Sequence, residues 1–174
     1  MKYLLIGCLV FFGGCSVPAK QPVLHDFGVP VSAAAQQVKA SVTVNAPTWL
    51  WDNRIRYRLL FASPSQVRFY GLDRWIASPP ELLEQLLGSG KAQDYALIIQ
   101  LQDFEQQFDA PDRARVVLRF SVEVYSANNK QKIGTQAFYL QQATKTPDAA
   151  GAINGFIDLA QQAAEKIQGW LMGL

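Results

Sequence analysis

The sequence predicts a single α+β domain, in which a mainly antiparallel sheet of about six strands carries two helices packed on one face. Two observations lead to this prediction. Apolar and polar residues alternate in several separate segments, which is typical of strands with one buried face. Two further segments, one in the middle of the chain and one at its end, place apolar residues at helical spacing. A chain of 174 residues with 49% hydrophobic residues can form one such core.

Residues 1–14 are predicted to be a lipoprotein signal peptide, which is removed before the domain folds. Lys2 supplies a positive charge, and an apolar run extends from Tyr3 to Phe12. Gly13 and Gly14 then place two small residues directly before Cys15, which is the expected lipidation site. The run of about ten apolar residues is too short to cross a bilayer, which takes about twenty residues.

Cys8 is the weaker alternative for lipidation, because few apolar residues precede it. Ser16 stands where, by resemblance to enterobacterial sorting signals, an Asp would retain the protein in the inner membrane. We therefore expect anchoring in the outer membrane of a Gram-negative bacterium, facing the periplasm. The predicted organisation is a lipidated tether over residues 15–22 and one domain over residues 23–174.

Several kinds of chemistry are excluded by composition. Loss of Cys8 with the signal and acylation of Cys15 leave no thiol for disulfides, thiolate metal sites or nucleophilic catalysis. His25 is the single histidine, so no His-based metal site is expected. One net positive charge remains once Lys2 is removed, which gives no reason to expect nucleic-acid binding. No metal and no cofactor are predicted.

The first half of the domain is predicted to begin with a short strand, Val23–Val31, followed by a second strand, Lys39–Asn45. Residues Arg54–Phe61 and Gln66–Tyr70 alternate on either side of a Ser63–Pro64–Ser65 turn, so a hairpin is expected.

A helix follows this hairpin. Ser78 is placed to cap it, Pro79 suits its first position and Glu81 completes a capping box. Its apolar side is made of leucines, and glycines end it: Leu82, Leu83, Leu86, Leu87, Gly88 and Gly90.

Three long strands are predicted next, as a meander over residues Tyr95–Phe108, Arg115–Tyr125 and Lys132–Gln142. Leu97, Ile99 and Leu101 share one face of the first of these strands, whereas Phe104 and Phe108 have the opposite parity. We therefore expect a bulge near Gln102–Asp103. An Asn128–Asn129 turn should join the last two strands, with Gly134 at a second bulge.

The chain should close with a helix over residues Asp148–Leu171, capped by Asp148. Trp170, near its end, is placed to pack this helix against the sheet.

The stretch Pro47–Pro80 holds three of the four tryptophans and five of the eight arginines. Arginine and aromatic residues together often mark a recognition surface. The candidate partner-binding residues are Trp49, Trp51, Arg54, Arg56, Arg58, Arg74 and Trp75. For each tryptophan a place in the core is the favoured alternative. Arg54, Arg56 and Arg58 share one strand face and are expected to be exposed.

No catalytic residues are predicted, and the chain is not expected to be an enzyme. Asp103 and Glu105 point the same way from a strand, and Asp109 and Asp112 lie in a turn. Carboxylates alone can hydrolyse glycosides, but nothing in these spacings favours that reaction.

The order of short motifs in Val42–Leu83 resembles the ABC-type transport auxiliary lipoprotein (PqiC-like) family. The motifs are Val-x-Val-x-Ala-Pro-x-Trp-Leu, Arg-Ile-x-Tyr-Arg, Val-x-Phe-Tyr and Arg-Trp-x-x-x-Pro-Pro, followed by Leu-Leu. One residue, in Leu50–Trp51–Asp52, is inserted relative to the family pattern. A long strand with Asp103–Phe104, a second long strand and a C-terminal helix follow in the same order.

This resemblance implies a non-catalytic accessory lipoprotein of an Mla-like lipid transport system. Its partners would be the MCE-domain substrate-binding protein and the ABC transporter, and the cargo would be phospholipid or a related hydrophobic molecule. The sequence leaves open a homo-oligomer and any direct contact with lipid. The alternative is a periplasmic lipoprotein that binds or inhibits an envelope hydrolase.

Overall fold

The structure is a computed structural model that describes residues 20–28, 40–88, 95–126, 128 and 131–174. The predicted signal peptide and Cys15 lie outside these residues, as do the end of the first predicted strand, Gly90 and Asn129. Statements about the structure below refer to the described residues.

Seven strands form one sheet, and two helices accompany it. The strands are β1 (Val23–His25), β2 (Ala40–Asn45), β3 (Arg54–Leu59), β4 (Val67–Trp75), β5 (Tyr95–Ala110), β6 (Arg113–Ser126) and β7 (Lys132–Ala143). The helices are α1 (Pro79–Leu87) and α2 (Ala149–Leu171), and a short 3-10 turn spans Thr48–Leu50. The α+β class is confirmed.

The sheet is mixed, so the expectation of a mainly antiparallel sheet is wrong. Its spatial order is β1-β4-β3-β5-β6-β7, and β2 also pairs with β5. The β1–β4, β2–β5 and β3–β5 pairs are parallel, whereas β3–β4, β5–β6 and β6–β7 are antiparallel. Residue alternation indicates which face of a strand is buried but not which strand lies beside it, and β4 and α1 provide a connection long enough for a parallel crossover.

One edge of β5 is shared by two strands. β2 pairs with its first half, from Tyr95 to Gln100, and β3 pairs with its second half, from Gln106 to Phe108. Between these halves the register against β6 shifts between Leu101 and Asp103, which confirms the predicted bulge. The bulge keeps Phe104 on the same buried face as Leu101, so Asp103, Glu105 and Gln107 point to the opposite face.

The core lies between the sheet and the two helices. Trp75 of β4 is fully buried and makes edge contacts with Phe27, Phe104 and Phe156 at centroid distances of 5.5–6.0 Å. Phe104 and Phe156 stack at 3.9 Å, which fixes α2 against β5. As predicted, Trp170 packs on the sheet, with its ring 6.2 Å from Phe138. None of the described helices is long and apolar enough to span a membrane.

Both predicted helix starts are confirmed. Glu81 Oε2 accepts hydrogen bonds from Ser78 N at 2.8 Å and Ser78 Oγ at 2.6 Å, as in a capping box. Asp148 Oδ1 accepts from Gly151 N at 2.8 Å and from Thr146 Oγ1 at 2.6 Å. A Cβ added to Gly151 would lie 1.9 Å from Thr146 O, so the first turn of α2 requires glycine there.

Replacing Asp148 with Ala is expected to cost about 1 kcal/mol of folding free energy at neutral pH, because an N-cap acceptor is lost. Hydrogen bonds from Thr146 and Gly151 hold the pKa of Asp148 below its usual range. A carboxyl whose folded pKa is depressed stabilises the fold above its unfolded pKa of about 3.9, and this contribution is lost as the pH falls through the folded value.

The measurement is the urea unfolding free energy at neutral pH and at successively lower pH. The difference between the wild type and Asp148→Ala should shrink as the pH falls. Asp148→Asn, which keeps a capping oxygen without the titrating group, is the control and should lose less at neutral pH. A difference that stays constant with pH would contradict the role of the ionised carboxylate.

Candidate functional site

The sheet face opposite the helices carries a groove of about 700 Å³, hereafter the arginine groove. The 3-10 turn, β3, the start of β4 and the bulged part of β5 enclose it, and Arg119 of β6 reaches it from the side. Its lining residues are Thr48, Trp49, Leu50, Asp52, Arg54, Arg56, Arg58, Val67, Phe69, Gln102, Asp103, Phe104, Glu105 and Arg119.

Glu105 is a buried carboxylate in this groove, with a side chain only 8% exposed. Arg58 donates to both of its oxygens, from Nε to Oε1 at 3.0 Å and from Nη2 to Oε2 at 3.1 Å. Gln107 Nε2 donates to Oε1 at 3.0 Å. Arg58 Nη1 also donates to Pro64 O at 3.0 Å, which ties the hairpin turn to the pair. A bidentate Arg–carboxylate pair of this kind fixes the relative orientation of the two side chains as well as pairing their charges.

Arg56 is more buried than Arg58, and its guanidinium has weaker hydrogen-bond and ion-pair partners. Its side chain is 9% exposed, and its nearest carboxylate contact is Nη2 to Glu105 Oε2 at 3.8 Å. Nη1 donates to Trp49 O at 3.5 Å, and Nε is buried without a hydrogen-bond partner in the described structure. Burial lowers the pKa of Arg56, because desolvation penalises the charged guanidinium.

Two further ion pairs line the groove nearer to solvent. Arg54 Nε donates to Asp52 Oδ2 at 2.8 Å, and its guanidinium carbon lies 3.8 Å from the centroid of the Phe69 ring. The hydrogen bonds from Arg54 lower the pKa of Asp52. Arg119 Nε lies 2.6 Å from Asp103 Oδ2. Each carboxylate of the groove thus has an arginine partner.

The structure separates the three tryptophans of the central stretch. Trp49 and Trp51 are 61% and 47% exposed, so placing them in the core was wrong. Trp75 is 0% exposed and belongs to the core, which removes it from the candidate partner-binding residues. In the 3-10 turn, Leu50 takes the buried position between Trp49 and Trp51 at 1% exposure.

The expectation that the arginine face is exposed is also wrong for part of it. Arg54, Arg56 and Arg58 do share one face. The side chains of Arg56 and Arg58, however, lie in the groove beside Glu105 and are only 9% and 21% exposed. Arg74 pairs in register with Arg54 and lies beside the groove, where its Nε is buried without a partner in the described structure.

Sequence reasoning missed Glu105, Asp52, Phe69 and Arg119 as parts of one site. One sequence signal did exist for Glu105: it lies two positions after Asp103, so both carboxylates point to the same face of β5. The parallel pairing of β3 with β5, which brings Glu105 to the arginines, has no local signature in the sequence.

No cluster of three or more His, Cys, Asp or Glu side chains with metal-binding geometry exists among the described residues. His25 Nε2 lies 2.9 Å from Asp73 Oδ1, in a pair that joins β1 to β4.

Structural comparison finds similar proteins, whereas comparison with family models and curated proteins does not. No family model and no curated protein matches the sequence. A Xanthomonas campestris protein of the DUF330 family superposes with a TM-score of 0.65 at 17% identity, covering 88% of this chain and 87% of that chain. A second, uncharacterized protein superposes with a TM-score of 0.66 at 15% identity, covering 87% and 99%.

A candidate lipoprotein from Caulobacter crescentus aligns with a TM-score of 0.44 at 20% identity, over 55% of this chain and 84% of that one, a likeness too partial to define a shared fold. The first two structures are similar over almost their whole length. This chain therefore has the fold of the Xanthomonas campestris DUF330 protein.

Proposed function

We propose that the chain is a non-catalytic accessory lipoprotein of an ABC-type lipid transport system of the Mla/MCE kind. It would be anchored through Cys15 in the outer membrane, facing the periplasm, and would dock to the MCE-domain component. The observation that supports docking is the exposure of two neighbouring tryptophans, Trp49 and Trp51, hereafter the tryptophan rim, beside the arginine groove. Tryptophan and arginine dominate the binding energy of many protein interfaces.

The tryptophan rim is held in place rather than carried on a loose loop. Trp51 Nε1 donates to Ala46 O at 3.2 Å, and Arg56 Nη1 donates to Trp49 O at 3.5 Å. Leu50, between the two tryptophans, is anchored in the core. These contacts hold the Trp51 ring and the backbone of the turn, and an aromatic side chain with little freedom to lose when a partner covers it suits a docking surface.

Two further observations agree with this role. The fold is that of a DUF330 protein, and the PqiC-like family that the sequence resembles is a DUF330 family. The groove carboxylates are engaged with arginines, which suits a binding surface better than acid–base chemistry.

Replacing both Trp49 and Trp51 with Ala is expected to weaken capture of the MCE-domain protein by about tenfold or more, because exposed aromatic anchors are lost without damage to the core. The measurement is affinity purification of the full-length protein from membranes, with mass spectrometry of the proteins and lipids that accompany it. The matched control is Phe61→Ala, which removes an exposed aromatic side chain (47%) from the hairpin turn outside the groove.

Unchanged capture of the MCE-domain protein by the double variant would contradict docking through the tryptophan rim. Recovery of an envelope hydrolase in place of transporter components would favour the inhibitor alternative.

A further inference from the structure

The arginine groove is lined by four arginines but only three carboxylates. Among the lining residues, Arg54 is paired with Asp52, Arg58 with Glu105 and Arg119 with Asp103. The fourth lining arginine, Arg56, shares Glu105 only through the long 3.8 Å contact. The groove therefore carries one net positive charge, and that charge belongs to its most buried guanidinium.

A buried cation without a close counter-charge costs folding free energy, because it has lost its water without gaining an equivalent partner. The side chain of Arg56 is nine-tenths buried, and its Nε forms no hydrogen bond to any described residue. Arg74, which pairs in register with Arg54 but does not line the groove, also has a buried Nε without a partner among the described residues. An oxyanion bound in the groove would offset this cost, and ligand binding would be strengthened accordingly.

The size and walls of the groove restrict the ligand further. A volume of about 700 Å³ is in the range of small-molecule sites, although the groove is open to solvent on one side. Val67, Phe69 and the exposed face of Trp49 supply apolar lining next to the arginines. The three carboxylates already present would repel a group with several negative charges, so a single charge fits best.

We propose that the arginine groove binds a small amphiphile with one negative charge, whose oxyanion faces Arg56 and whose apolar part lies against Phe69 and Trp49. Two ligand chemistries share this description, a phosphodiester with apolar substituents, as in a lipid head group, and the carboxylate of a fatty acid. The proposal goes beyond docking to the MCE-domain protein, because it needs no protein partner and is tested without one.

The experiment titrates the full-length protein, purified in a non-ionic detergent, and follows tryptophan fluorescence, since Trp49 lines the groove. The probes are dibutyl phosphate and hexanoate, which are singly charged, soluble and partly apolar. Inorganic phosphate and 1-hexanol lack the apolar part and the charge, respectively. We expect saturable binding with a Kd on the order of 1 mM for at least one amphiphilic anion, and much weaker signals for the two controls.

Arg56→Gln should weaken this binding by about tenfold or more, whereas Arg68→Gln should leave it unchanged. Arg68 belongs to the same hairpin but bonds only to the Gln66 side chain and does not line the groove. Because Arg56 is buried, Trp49→Ala serves as a second variant that alters an exposed residue. It should weaken binding measured by calorimetry, with Trp51→Ala as its control outside the groove lining.

Tighter binding of dibutyl phosphate would assign the site to phosphodiesters, and tighter binding of hexanoate would assign it to carboxylates. Three outcomes would overturn the proposal: no saturable binding of either amphiphile, equal binding by Arg56→Gln in its folded form, or inorganic phosphate binding as tightly as dibutyl phosphate. Failure of MCE capture by the tryptophan-rim variant has no bearing on these titrations, so the two proposals fail separately.

Discussion

Replacing Trp75 with Ala is expected to lower the free energy of unfolding by about 4 kcal/mol, the range for removing a large aromatic side chain from a core. Trp75 is 0% exposed and sits among three phenylalanine rings that belong to β5, α2 and the segment after β1. Phe104 and Phe156 already stack on each other, so they cannot move into the vacated space without breaking that contact. Urea unfolding followed by circular dichroism measures the loss.

Trp49→Ala is the matched control for Trp75→Ala, because it removes the same side chain from an exposed position in the same stretch. Its effect on the free energy of unfolding should stay within about 0.5 kcal/mol. Similar losses in the two variants would contradict the division of these tryptophans into core and surface. The loss of unfolding free energy in Trp75→Phe should lie between those of Trp75→Ala and Trp49→Ala, since a phenyl ring fills part of the space.

Replacing Arg58 with Gln is expected to lower the free energy of unfolding by about 3 kcal/mol, because Glu105 would stay buried without its bidentate arginine partner. Arg56 does not take over the role in this geometry, since its Nη2 lies 3.8 Å from Glu105 Oε2 and its Nη1 donates to Trp49 O. The estimate is at the low end for a broken buried pair because the Arg58 side chain keeps 21% exposure.

Arg68→Gln controls for loss of an arginine from the same hairpin, and its effect should stay within about 0.5 kcal/mol. A loss below about 1 kcal/mol in Arg58→Gln would mean that Glu105 is adequately satisfied by Gln107 and Arg56. Replacing Arg54, Arg56 and Arg58 together by Gln would not isolate partner binding. Weak partner binding in that variant would follow from damage to the groove as readily as from a lost contact.

Much of the architecture was predictable because it is local. The parity change between Leu101 and Phe104 predicted the β5 bulge, and Ser78, Glu81 and Asp148 marked the helix starts. These features depend on residues a few positions apart, where side-chain period and capping chemistry are strong constraints. The antiparallel β5–β6 and β6–β7 pairs followed as well, since each joins consecutive segments through a short turn.

The candidate site was less predictable, because its parts are far apart in sequence. Arg58 and Glu105 are 47 positions apart and meet only because β3 lies parallel to the second half of β5. Asp52 pairs with Arg54 two positions away, yet nothing local showed that this pair would border a cavity. Trp49 and Trp75 are the same residue type in the same stretch, and only packing assigned one to the surface and the other to the core.

By itself, then, the sequence determined most of the elements, the bulge and the helix caps, because each follows from contacts between near neighbours in the chain. The tertiary structure alone decided that the sheet is mixed, that Arg56 and Arg58 are drawn in by Glu105, and that Trp49 and Trp51 remain exposed. The physical reason is that alternation specifies which side of a strand faces the core, whereas the choice of neighbouring strand is made by long-range packing once the helices cover one face.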